Sequence, residues 1–135
     1  MERKRMPDWH LHLTLLPGEY AICRLDAAAP VPAWAAGGEF VSVTRTREEL
    51  SVVCMAARVP AGVAADSGWR CVKVEGPFDL TSATGVLASI ASPLAAAGIS
   101  IFALATYDTD YVLVHAANLE RARAALGTAG HVMLP

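Results

Sequence analysis

The chain is short of charge, of aromatic residues and of long apolar runs, and each shortage excludes something. Charged residues make up 18% of its 135 positions and aromatic residues 7%, against a hydrophobic share of 54%. That balance supports a buried core and argues against disorder. No stretch approaches the ~18 consecutive apolar residues of a membrane span, because charges, Gly and Pro interrupt each candidate. The opening "MERKRM" is basic like the start of a secretion signal. The following "PDWHLHLTLLPGEY" has neither a continuous apolar core nor a small-residue cleavage site. A cytoplasmic protein with a frayed basic tip is expected.

Cysteine is scarce too. Cys23, Cys54 and Cys71 are odd in number and far apart, and each lies in an apolar, strand-like run. This is neither a disulfide framework nor a zinc spacing, so buried, reduced thiols are expected. Eleven basic against thirteen acidic residues leave a net charge of −2, with no basic stripe beyond the N-terminal tip. A nucleic-acid partner needs a positive face, and an RNA-binding sheet needs displayed aromatics, so neither is expected. His10 and His12 share one side of a strand but have no third ligand near them, and His115 and His131 stand alone. No metal and no cofactor are assigned. Nucleophile elbows, dinucleotide and phosphate loops and zinc-protease motifs are all missing, so the chain is read as no enzyme.

What is present is a pattern of strands and helices that runs twice. In the second half, "WRCVKVEG" alternates as a strand, Thr81 or Ser82 opens a helix reaching Ala97, and "ISIFALA" follows as a strand after the helix stop at Gly98. Val86, Leu87, Ile90, Leu94 and Ala97 form the apolar stripe of that helix, and Pro93 should bend it near Ser92 or end its first part. "DYVLVHA" is the next strand, Asn118 caps a helix that turns Leu119, Ala122 and Leu126 inward, and "HVML" closes the order βαββαβ.

The first half repeats this order with less helix. "EYAICRL" is a strand, "VPAWA" allows a turn or two, and "EFVSVTRTREELSVVCMA" is a hairpin. "RVPAGVAADSG" is too short and too rich in Gly and Pro for a full helix. Aligning the two hairpins sets "TRTREELSVVC" (Thr44 to Cys54) under "ATYDTDYVLVH" (Ala105 to His115), with Glu49 under Asp110. The strand from Leu11 to Leu16 is left over, to complete the sheet of one half or the other.

The stretch from Trp69 to Val114 resembles the second ACT domain of a small bacterial tandem-ACT family, and also the ligand-binding end of the cytosolic arginine sensors of animals. Trp69-Arg70, Gly76, Thr84-Gly85, "SPLAAAGIS" and "TYDTDYVLV" carry the likeness. The resemblance implies an α+β fold of two ferredoxin-like βαββαβ units side by side, each an antiparallel sheet with helices on one face. The first unit, with reduced helices, is placed at 1–66 and the second at 67–135.

It further implies a small-molecule ligand, typically an amino acid, at the seam between the units. The positions carried over for that ligand are Leu80, Thr81, Ala83, Thr84, Gly85, Tyr107 and Asp110. Free N–H groups at the helix start would receive the ligand carboxylate. Asp110 would accept from its ammonium and Tyr107 would cover it. On the residues alone, Ser82 and Thr84 are equally helix caps, and "TYDTD" is equally a solvated hairpin turn with Asp108 a plain turn residue. The expected role is regulatory and non-catalytic in a homo-oligomer; the rival is a structural or dimerisation module that binds nothing.

Overall fold

Strands form here where apolar residues alternate, and among the described residues full helices form only in the second half, because proline and glycine interrupt the connection 26–41 and the connection 56–63 is short. The computed structural model describes residues 9–76 and 85–135. The elements run β1 (His12–Leu15), β2 (Tyr20–Leu25), β3 (Ser42–Arg45), β4 (Leu50–Met55), β5 (Ala64–Val74), α1 (Val86–Ala96), β6 (Ile101–Ala105), β7 (Asp110–His115), α2 (Leu119–Thr128) and β8 (Val132–Leu134). Single 3-10 turns occupy Ala33–Ala35, Ala56–Arg58 and Ala116–Asn118. The chain divides into a first unit, Pro17–Arg70, and a second that joins Met1–Leu16 to Cys71–Pro135.

In the first unit the strand order is β3-β4-β2-β5, with antiparallel pairing throughout. This is the arrangement of a βαββαβ unit, in which the first strand lies between the third and fourth. Ala21, Cys23, Leu50, Val52 and Cys54 make the buried face, and the turn at Ala33–Ala35 covers it with Ala35 and Trp34. Pro30, Pro32, Gly37 and Gly38 flank that turn, so no longer helix can grow there. Residues 64–68, expected as loop, are strand. Pairing with β2 at Cys23↔Ala65 and Arg24↔Ala64 overrides their weak strand propensity.

In the second unit β6 pairs with β7 and β7 with β5, while β1 lies between the end of β5 and β8. The leftover N-terminal strand therefore completes the second unit. It sits antiparallel to β5 and parallel to β8, in the place where the unit's own fourth strand would otherwise pair. Leu11 and Leu13 anchor it in a core shared with Val72, Val74, Val112 and Val114 and with Ile90 and Leu94 of α1. Burying side chains of this size stabilises by about 1.5–3 kcal/mol each. Among the described residues, no helix is long and apolar enough to cross a membrane.

Helix α1 runs through Pro93 to Ala96. Its stop is as expected: Gly98 has φ 72°, and the Ile99 N–H reaches back to the Leu94 carbonyl at 2.9 Å. The described part of the helical run begins at Val86, behind Gly85 at φ 84°, and the expected opening at Thr81 or Ser82 lies outside the described residues. Asn118 does precede α2, but its Oδ1 accepts from the Arg121 guanidinium at 3.2 Å instead of capping the backbone. All three cysteines are free and buried. Burial pushes Cys23 up to about 11 and Cys71 up to about 12, which leaves both as unreactive thiols.

Candidate functional site

Thr106 builds the polar turn between β6 and β7. Its N–H and its hydroxyl both donate to the Thr109 carbonyl, at 2.8 and 2.9 Å, and its Oγ1 accepts from the Thr109 N–H at 3.3 Å. The first unit makes the same turn with Thr46. That N–H donates to the Glu49 carbonyl at 2.9 Å, and that Oγ1 accepts from the N–H groups of Glu48 and Glu49 at 3.1 and 3.2 Å. Thr46 thus corresponds to Thr106, and the alignment read from the sequence is one residue out of step. Strand pairing agrees, because Arg45 faces Leu50 as Ala105 faces Asp110. Glu49 corresponds to Thr109, and Asp110 corresponds to Leu50.

This correction changes what Asp110 is. Leu50 is 0% exposed in the core of the first unit. Asp110 stands at the equivalent place, on the side of β7 that carries Val112 and Val114 against α1. It is half-buried, and burial pushes its carboxyl above the usual range for aspartate. A turn residue would have pointed into water; Asp110 is an acid set at the edge of an apolar core.

The other expected site residues divide by position. Tyr107 stands 83% exposed at the tip of the same turn. Gly85 opens α1, whose first residue, Val86, packs in the cluster that holds Val112 and Val114. Leu80, Thr81, Ala83 and Thr84 lie outside the described residues.

On the other side of the turn lies an open hollow of about 310 Å³, lined by Lys73, Gly76, Thr106, Asp108, Thr109 and Tyr111. Thr109, 8% exposed, pins the turn to the end of β5 by donating its hydroxyl proton to the Val74 carbonyl. Behind Lys73, Glu75 accepts from the Thr14 hydroxyl at 2.6 Å and lies 3.5 Å from the Lys73 ammonium. The Thr14 bond, assisted by Lys73, holds the Glu75 carboxyl below its ordinary value against a smaller effect of burial. Asp108, expected as a plain turn residue, lines this hollow.

His131, which the sequence left isolated, is 4% exposed and joins three parts of the second unit. Its Nδ1 accepts from the Leu11 N–H at 3.1 Å and its Nε2–H donates to the Ser89 carbonyl at 2.9 Å. Accepting at Nδ1 places the single proton on Nε2. The Ser89 carbonyl is available because Pro93, four residues on, has no N–H to give it. A proline inside a helix and a distant histidine thus complement each other. Among the described residues, no group of three or more His, Cys, Asp or Glu could hold a metal ion.

Comparison with known proteins identifies the architecture. A family model for the ACT domain matches residues 64–128, and a model described as an N-terminal domain matches residues 18–62. The crystal structure of Atu0741 from Agrobacterium tumefaciens shares 46% identity over 93% of this chain and 92% of that one, with a TM-score of 0.88. The chain belongs to the family of Atu0741, and its second half is an ACT domain. Less similar solved structures share the fold. The regulatory subunit of aspartate kinase from Thermus thermophilus, in ligand-free form, superposes with a TM-score of 0.59 at 14% identity, over 84% of this chain and 93% of that one. Escherichia coli aspartokinase III, solved in complex with aspartate and ADP, gives 0.55 at 14% identity, over 88% of this chain and 32% of that one. No match is found among curated proteins. The ACT domain and the unit before it are therefore two ACT-like units of mixed α+β structure.

Proposed function

We propose that the chain is a non-catalytic regulatory module of the cytoplasm that binds an amino acid at the ACT domain, with Asp110 accepting from the ligand ammonium. The observation that carries this reading is the exchange of a core leucine for an acid at one place in two equivalent hairpins, Leu50 in the first unit and Asp110 in the second. A half-buried acid in an apolar setting costs stability, and such groups concentrate where a ligand or substrate is bound. The residues carried over by resemblance, Leu80, Thr81, Ala83, Thr84 and Gly85, would supply backbone donors for the ligand carboxylate, and Tyr107 would cover the ligand. Binding would act by favouring one arrangement of the protein over another, since a ligand shifts an equilibrium only by its differential affinity. Calorimetric titration with each standard amino acid tests this. At least one should bind, and Asp110→Asn should weaken it about tenfold or more; silence from all of them in folded protein overturns the reading.

A second reading is favoured by β8, the last strand of its sheet. Val132 and Leu134 are 48% and 47% exposed on one side of it, a surface suited to pairing with another copy. If the module serves only for association, Val132→Lys will convert an oligomer to a monomer in light scattering, and no amino acid will bind.

A further inference from the structure

We infer that the hollow beside the Thr106–Thr109 turn is a second binding site, separate from Asp110, and that it takes a small zwitterion, the backbone of a free α-amino acid. The inference rests on which polar groups in the hollow are already committed. The Thr106 hydroxyl donates to the Thr109 carbonyl and accepts from the Thr109 N–H; the Thr109 hydroxyl donates to the Val74 carbonyl. Neither has a hydroxyl proton left to give a ligand.

Two charges of opposite sign remain. Lys73 has three N–H donors. Its partner Glu75 lies 3.5 Å away and already accepts from Thr14 at 2.6 Å, so the ammonium is positioned by that carboxylate without being used up. Asp108 lines the same hollow, is exposed, and takes no part in the hydrogen bonds of its turn. Tyr111 lines the hollow with them. An ammonium and a carboxylate in one hollow of about 310 Å³ match a ligand that carries the same two charges close together. A simple anion would meet Asp108, and a simple cation would meet Lys73. Each would leave one charge unanswered, and this is how such a site rejects them.

The site is also set apart from Asp110 by the geometry of the strand. Tyr111 alternates with Asp110 along β7 and so faces the opposite side of the sheet from the acid, and Thr109, in the turn just before β7, lines the same hollow as Tyr111. The two sites can therefore be occupied or emptied independently.

The test is an amide-resolved NMR titration with each standard amino acid, on the full chain and on three variants. The amides of Gly76, Thr106, Asp108 and Tyr111 should shift together. Lys73→Met and Asp108→Asn should each weaken that response about tenfold, while Asp110→Asn leaves it intact. The N-acetyl derivative and the methyl ester of the binding amino acid should produce no shift there. Both substitutions lie on solvent-accessible side chains, and unchanged spectra elsewhere will show the fold preserved. The inference is overturned if no amino acid shifts these amides, if the response survives both charge-removing variants, or if Asp110→Asn abolishes it. A response at the hollow with no amino-acid effect dependent on Asp110 upholds this inference while the function proposed for Asp110 falls.

Discussion

The hairpin β3–β4 and the hairpin β6–β7 have the same turn, the same register and the same 3-10 exit, yet one begins its inner strand with Leu50 and the other with Asp110. The shared parts are those that any such hairpin needs: a threonine whose hydroxyl closes the turn and a run of apolar residues that fills one face. The difference falls where the outermost core position meets the end of the unit. In the first unit a leucine completes the core; in the second an acid is held there against burial. Sites in which one copy of a repeat gives up a stabilising residue are those where another demand outweighs stability.

Exchanging the two residues tests that contrast most severely. Leu50→Asp should destabilise the protein by about 4 kcal/mol in chemical denaturation, since it removes a fully buried side chain and adds an unpaired carboxylate. A cost near zero would show that the two positions are not equivalent. His131→Ala comes next, at about 3 kcal/mol, because the Leu11 N–H and the Ser89 carbonyl both lose their partner. In a Pro93→Ala background the restored N–H can take the Ser89 carbonyl, so the same histidine change should cost less. A double-mutant cycle with no coupling would separate the two residues.

The reverse exchange, Asp110→Leu, should raise stability at neutral pH by about 1 kcal/mol while abolishing the amino-acid response at that site. The pH dependence follows from the sign of the shift. Folding raises the carboxyl of Asp110 above its unfolded value, so the folded state holds the proton more tightly. The native protein keeps this contribution below the unfolded value and loses it as pH rises through the folded one. The advantage of Asp110→Asn over the native protein should therefore be absent below the ordinary aspartate range and grow to a plateau as pH rises past the raised value of the folded carboxyl. An advantage independent of pH would remove burial of the charge as its cause. The smallest effect concerns the turns: Thr46→Val and Thr106→Val should each cost about 1 kcal/mol, and nearly the same amount, if the two turns are copies.

Much of this was legible in the chain. The βαββαβ order, the inward face of α2 and that of α1 apart from Leu87, which is exposed, the stop at Gly98 and the reduced helices between Pro30 and Gly38 all follow from periodicity and from residues with restricted backbones. The alignment of the hairpins went one residue astray because it matched acid to acid. A better signal was there: Val52, Ala56 and Ala57 recur as Val112, Ala116 and Ala117, in step with Thr46 and Thr106. Acids in turns carry little positional information, whereas a threonine that closes a turn and alanines that begin a 3-10 exit are tied to backbone geometry.

Local chemistry was enough to say where strands, turns and helix ends fall, because each depends on neighbours a few residues away. It could not say that β1 inserts beside β5, that the Ser89 carbonyl left open by Pro93 is met by His131, or that Lys73 and Asp108 line one hollow. Those pairs lie 35 or more residues apart in the chain, and nothing in either partner's surroundings names the other. Only the packing of the second unit brings them together, with a core that holds β1, β5, β7 and α1 in one place.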